Sequence, residues 1–363
     1  MSGVLAGYLR RRVAARTLAL VFFFTALMQV LELLDVTTDV LDRGLGATGL
    51  AYYAALRLPS EVLLALPLAA LLGAMWAFSE LARSHEMIPI RASGVSPRRM
   101  IAWLLPVPFA VALAQVVLAQ AIVPVSEATL KSWWDASAPA DETPERSWVR
   151  TSSGPVSFLA AAPDGRRLTA VRIYVRGEDD LLTERISART AQWTGEAWRL
   201  DGVEALAVDG VEAIAAAGAR VQRAAGGERL WRTNLRPEDV RRVDVARPNL
   251  SSIMLADVIV GERVGTEPLS YYETALWRSF VAPLAAFIML LLALPTARGL
   301  PRRDDGGRSL LIALGLGLAF LLCDGIMAAL GTSDRVPAAL AALAAPALFA
   351  AIGLLQLRIS ERR

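Results

Sequence analysis

Residues 17–31 read TLALVFFFTALMQVL, a run without a charge, preceded by Arg10, Arg11, Arg12 and Arg16. A helix needs about 20 apolar residues to cross a hydrocarbon core of roughly 30 Å. This run approaches that length if Glu32 is tolerated and the helix extends to Leu34. Comparable runs follow at 62–79, 100–126, 279–297, 309–333 and 336–357, so six membrane-spanning helices are predicted. The composition agrees: 55% of the 363 residues are hydrophobic and the mean hydropathy is +0.43, too apolar for an ordinary soluble domain.

Arginine placement orients the spans. Arg83, Arg91, Arg98 and Arg99 lie between the second and third runs, and Arg298, Arg302, Arg303 and Arg308 between the fourth and fifth. Arg358, Arg362 and Arg363 follow the sixth, whereas the short segments on the other side offer Arg43, Arg57 and Arg335. Both termini are expected in the cytoplasm. A basic start before an apolar run is also the layout of a secretory signal. No small-x-small cleavage site follows it, and cleavage would leave five spans and upset the alternation. The net charge of +3 comes from arginines at the ends of apolar runs, not from one basic patch, which argues against nucleic-acid binding. The lone cysteine, Cys323, excludes an intramolecular disulfide and a cysteine-rich metal site.

Between the third and fourth runs the chain changes character. Short segments rich in branched and aromatic residues recur at 156–161, 168–176, 185–193 and 198–203. Asp164-Gly165, Gly195, Asp201-Gly202, Asp209-Gly210 and Gly226-Gly227 supply turn signals between and after them. The stretch 168–176, LTAVRIYVR, alternates and sets Val171, Ile173 and Val175 on one face, the period of a half-buried strand. The fold class predicted is an α-helical membrane protein with an inserted, outward-facing all-β domain, an antiparallel sandwich or jelly roll. Three regions result: 1–126 with spans one to three and a cytoplasmic segment at 80–99, the β domain with its connections at 127–276, and spans four to six at 277–363. Residues 237–243 and 251–260 read as turns or short helices leading back to the membrane.

Catalysis is not expected. The single histidine, His85, falls on the cytoplasmic side, which rules out Ser-His-Asp hydrolysis and histidine-based zinc chemistry in the β domain. Asp179-Asp180 and Asp141-Glu142 read as solvated loop charges. No glycine-lysine phosphate loop of the Walker type occurs, so no cofactor or nucleotide is assigned to this chain. Energy for active movement would come from another subunit or an ion gradient.

Some charges sit at or inside the spans. Asp324 interrupts the fifth run, where an ionisable group faces either a bundle interior or the hydrated outer interface. Glu32 and Asp35 close span one on the outer side, as a solvated helix end or as groups of a cavity. Lys131 marks the outer end of span three beside Trp133 and Trp134, residues expected as interface anchors. The cytoplasmic loop ELARSHEMIPIRASGVSPRR at 80–99 mixes charges with Met87, Ile88 and Ile90, as a docking element or an interfacial segment would.

The layout and several local patterns resemble the LptF/LptG permeases of lipopolysaccharide export. HEMIPIRASG at 85–94 is similar to the family's coupling-helix stretch, WRSFVAP at 277–283 to its span-four pattern, and 315–324 to its glycine-spaced run ending in Asp. RIY at 172–174, WRL at 198–200 and WRTNL at 231–235 favour the LptG branch. The resemblance implies a permease subunit that pairs with an LptF-like second permease around a cavity, powered by an LptB-like ATPase dimer. Lipopolysaccharide would enter laterally near spans one and five and pass to an LptC-like periplasmic bridge protein. Glu86 would be the coupling acid, with Met87, Ile90 and Arg91 beside it. Glu32, Asp35, Lys131, Phe320 and Asp324 would line the cavity. Two positions depart from the pattern: Glu32 stands about one turn before Asp35 where the family carries a lysine, and Pro89 interrupts the coupling stretch. A proline costs a helix interior about 3 kcal/mol, so that helix should be short, kinked or start near Pro89. Rival readings are a mechanotransmission protein, a static scaffold, and a membrane enzyme built on Asp324.

Overall fold

The computed structural model describes residues 2–86, 89–90, 95–137, 146–151, 154–162, 164–176, 182–208, 221–225, 227–240, 250–293 and 305–361. Two compact units form, one from Met1–Leu130 with Glu273–Arg363, the other from Lys131–Tyr272.

In the first unit α1 (Ser2–Asp42) and α2 (Gly46–Arg83) make a long antiparallel hairpin. Hydropathy predicts runs of 17–34 and 62–79, yet both helices extend well beyond them. The extensions are polar enough to escape a hydropathy count, and each is helical against the other, so backbone hydrogen bonding continues past the apolar stretch. The expectation of a helix end at Glu32 and Asp35 is thereby corrected: α1 continues to Asp42. A tight turn then reverses the chain, with Gly44 at φ 73° donating to the Leu41 carbonyl at 2.9 Å. Pro59 and Pro67 lie inside α2 without ending it. Neighbouring helices and local adjustments make such prolines tolerable in membrane spans.

Span three is assembled from α3 (Pro97–Leu104), α4 (Pro106–Val117), a π-helical turn (Leu118–Ile122) and α5 (Val123–Ala136). Ser96 caps its start by accepting from Arg99 N. The π turn directly precedes Pro124, which lacks the N–H for the ordinary bond. Span four is α8 (Leu269–Val281), a 3-10 turn at Ala282–Leu284 containing Pro283, and α9 (Ala285–Leu292). It starts at Leu269, ahead of the apolar run. Spans five and six are α10 (Asp305–Thr332) and α11 (Ala338–Glu361). Among the described residues six helices are thus long and apolar enough to cross a membrane, as predicted.

The core of this unit gathers Leu9, Leu71, Phe78, Leu104, Met289 and Phe320 from the two ends of the chain. Small residues let the helices close in. A Cβ on Gly73 would stand 2.6 Å from Thr17 Cα, and one on Gly317 would strike the Leu71 side chain.

The second unit holds a nine-stranded sheet whose pairings are all antiparallel. Its strands are β1 (Ser147–Thr151), β2 (Gly154–Phe158), β3 (Ala160–Ala161), β4 (Arg167–Arg176), β5 (Leu182–Trp193), β6 (Trp198–Asp201), β7 (Glu204–Val208), β8 (Val221–Ala225) and β9 (Arg229–Trp231). β4 and β5 are the long central pair. β2 and β3 share one edge of β4, and β6 and β7 share the outer edge of β5. Ala170, at φ 49°, drops out of the β4–β5 register, which runs from Thr169↔Thr190 to Val171↔Ala188. Val171 and Ile173 face the core, as their alternation predicts, together with Val156, Phe158, Ile186 and Leu200. Trp198 is fully buried, packs edge-on to Trp193 and donates from Nε1 to the Leu235 carbonyl at 2.9 Å. Two short helices follow, α6 (Pro237–Val240) and α7 (Ser252–Val260). The second is capped by Ser251 and ended by Gly261 at φ 85°.

Candidate functional site

Three polar assemblies are built into the helical unit, each joining helices. The first lies where α1 meets the end of α2 and the loop beyond. Tyr8, Arg12 and Arg16 recur every four residues and so share one stripe of α1. Tyr8 donates its hydroxyl to Glu86 Oε2 at 2.7 Å, and Arg12 Nη1 reaches Oε1 and Oε2 of Glu86 at 3.0 and 2.9 Å. Arg12 Nη2 meets Glu80 at 3.2 Å, while Arg16 donates to both Glu80 oxygens at 2.9 and 3.0 Å. The Arg16 guanidinium also lies 4.9 Å from the Trp76 ring centroid. The Tyr8 hydrogen bond, helped by Arg12, holds the Glu86 carboxyl below its ordinary value of 4.5, so it is an anion at neutral pH.

The second assembly joins the same hairpin nearer its turn, away from the first. Glu32 Oε1 pairs with Arg57 Nε at 3.0 Å and accepts from the buried Tyr53 hydroxyl at 2.8 Å. One turn along α2, Glu61 is buried. With its amide turned to donate, Gln29 reaches Glu61 Oε2 at 3.0 Å and the Ala54 carbonyl at 3.2 Å. Nearby, Ser60 donates to Glu127 at 2.8 Å. The third assembly couples spans four and five: Arg278 Nη2 meets Asp324 Oδ2 at 2.6 Å, and its Nη1 meets the Asp324 carbonyl at 3.2 Å.

Coverage of the spans is uneven. In α2 56% of the most apolar window is buried, against 11% in α1 and 17% in α10. Phe22 and Phe23 on α1 and Leu311 and Leu322 on α10 are broadly exposed. Spans one and five therefore offer apolar surface that this chain leaves uncovered. Among the described residues no group of His, Cys, Asp and Glu is arranged to hold a metal ion.

A family model described as lipopolysaccharide export system permease LptF/LptG matches residues 7–359. The chain belongs to the LptF/LptG permease family. It is 22% identical to the lipopolysaccharide export system permease protein LptG of Escherichia coli (strain K12) over 357 residues, 97% of both chains. The protein of the same name from Haemophilus influenzae is 21% identical over 305 residues, 82% of each chain. With its six spanning helices, this family member is a multi-pass inner-membrane protein.

Within that family frame, the residues expected from sequence fall into separate places. Glu86 stands at the inner assembly and Ile90 is buried in the helical core, while Met87 and Arg91 lie outside the described residues. Pro89 and Ile90 are helical, and Ile90 N bonds the Glu86 carbonyl at 3.4 Å. Glu32 belongs to the outer assembly. Asp35, on the next turn, is exposed. Lys131 pairs within its own helix with Asp135 at 3.3 Å. Phe320 is buried edge-on against Phe349, and Asp324 one turn later carries the Arg278 pair. Sequence reading missed the partners: Tyr8, Arg12 and Arg16 for Glu80 and Glu86, Tyr53 and Arg57 for Glu32, and Arg278 for Asp324. A usable signal existed for the last. An arginine just before one apolar run and an aspartate inside another each need an opposite charge.

Proposed function

We infer that the chain is the LptG-type permease subunit that extracts lipopolysaccharide from the inner membrane and passes it toward the outer membrane. The observation that carries the reading is the family match over 7–359 on a bundle whose first and fifth spans are the least covered. A half-bundle with two uncovered apolar spans is suited to close against an LptF-like second six-span subunit. A cavity between the two would take several acyl chains, with polar contacts for the headgroup at its outer mouth.

The arginine distribution supports cytoplasmic termini and a periplasmic β domain. In that orientation the loop after α2 faces an LptB-like ATPase dimer, and Glu86, with Met87, Ile90 and Arg91, is the coupling group. The chain itself is a non-catalytic subunit, so ATP hydrolysis belongs to the ATPase. Nucleotide-driven closure would shift the paired bundle from an open to a collapsed state, expelling lipid toward an LptC-like periplasmic bridge. Among the cavity candidates, Glu32 and Asp324 act through their ion pairs, and Asp35 and Lys131 sit toward the outer interface. Phosphate recognition at the mouth would fall to cations other than the position of Glu32, with Arg57 beside it on α2.

The test is affinity purification of the tagged chain from its own membranes in mild detergent. A cytoplasmic ATPase and a second six-span protein should accompany it. Recovery of the chain alone across several detergents would overturn the half-transporter reading in favour of a scaffold.

A further inference from the structure

The inner assembly does more than satisfy charges. Glu80 closes α2 and Glu86 begins the loop beyond, yet both are held by one stripe of α1. These pairs are 21–35% exposed, and ion pairs so exposed contribute little to stability. What they do provide is geometry: Arg12 bridges the two acids at once through separate nitrogens. The two helices they join are unbroken, and the outer assembly pins their far ends through Glu32, Arg57 and Tyr53. Between the two assemblies Gly73 brings α2 within a Cβ's width of the Thr17 backbone, so the two helices are in direct backbone contact there.

We propose that Tyr8 and Arg12 are positioning residues that fasten the loop after α2 to the span-one helix, with Arg16 holding the last turns of α2 through Glu80, so that a displacement of Glu86 moves the whole α1–α2 hairpin as one lever. The proposal rests on the reading of Glu86 as the coupling acid. Glu86 can serve both sides. Tyr8 and Arg12 hold the carboxylate from the side of α1, while its side chain stays 35% exposed to a donor from outside. The ATPase would thus push on an anion that is already tied to α1. From Tyr8 to Glu32 the lever spans roughly 36 Å at a rise of 1.5 Å per residue, and so carries the motion from the inner loop to the outer cluster. Span one is also the least covered of the six, and so the freest to move.

The experiment uses the complete transporter in proteoliposomes, comparing ATP hydrolysis with ATP-dependent release of lipopolysaccharide. Tyr8→Phe with Arg12→Gln leaves Glu86 in place and removes its tie to α1. The expected result is unchanged co-purification of the ATPase, hydrolysis within about twofold of wild type, and release lowered about tenfold or more. Tyr8→Phe alone, which keeps the ring, should lower release about threefold and keeps the question answerable if the double variant fails to accumulate. Unchanged release in an assembled variant would overturn the lever. Loss of the ATPase from the purified complex would also overturn it, assigning these residues to docking instead. If the wild-type chain brings down no ATPase, it is the functional reading that fails, a different result from either.

Discussion

At the scale of single residues the structure turns isolated charges into pairs with defined consequences. Glu86 has its carboxyl lowered below 4.5, chiefly by the Tyr8 hydrogen bond and then by Arg12. A lowered folded value means that the contact contributes fully above the ordinary value and is lost as pH falls through the lowered one. Protection factors around Tyr8 and Arg12, that is, exchange rates corrected for the intrinsic rate at each pH, should therefore be constant from about pH 8 to 5 and fall only in more acid solution; a change centred near neutrality would contradict the assignment. Asp324 poses the opposite question, a charge inside an apolar helix with one arginine partner. Arg278→Met should cost about 1.5–3 kcal/mol, the range for hydrogen bonds to a charged group, because it strands a largely covered carboxylate. Adding Asp324→Leu should recover most of that loss, since apolar replacement of a whole buried pair is often neutral. Thermal unfolding of the single and double variants in detergent distinguishes this from a role of Asp324 independent of Arg278.

At the scale of elements, close approach decides what can be altered. Gly73→Leu places a branched side chain where even a Cβ would stand 2.6 Å from the Thr17 backbone. Overpacking of this kind costs about 1–3 kcal/mol or more, and here it should separate α1 from α2 and lower both thermal stability and lipid release. In the sheet unit, Trp198→Phe keeps a buried ring and removes the donor to the Leu235 carbonyl, for an expected loss of about 1–3 kcal/mol. The same elements mark what a sequence can disclose. Residues 168–176 announce β4 because branched residues alternate on a strand buried on one face. β7 and β8 escape notice: their Ala205, Ala207, Ala224 and Ala225 carry little hydrophobic signal, and pairing with β5 and with each other supplies the order. Hydropathy likewise finds six spans but not the polar ends of α1 and α2, which become helical through contact with one another. The candidate site was legible as acids without their partners. Glu86 and Tyr8 are 78 residues apart and Asp324 and Arg278 46, distances at which no local pattern speaks.

At the scale of the whole molecule the argument turns on which surface is unfinished. A membrane protein complete in itself would cover its spans evenly, with lipid-facing residues spread around the bundle. Here spans one and five are the least covered, while α2 serves as the central post. Lipid alone does not explain that asymmetry, because packing against a partner or holding a large amphiphile both require a contiguous apolar face. A photo-reactive amino acid at Phe22, which is 76% exposed, or at Leu322, 66% exposed, should capture either a second six-span subunit or lipopolysaccharide in intact cells. The same probe at Met75, 1% exposed in the bundle core, should capture neither. Capture at Phe22 and Leu322 that responds to depletion of the ATPase would tie the bare face to transport. Equal labelling by bulk phospholipid at every exposed position would instead make the face an ordinary lipid-contact surface and remove the cavity from the mechanism.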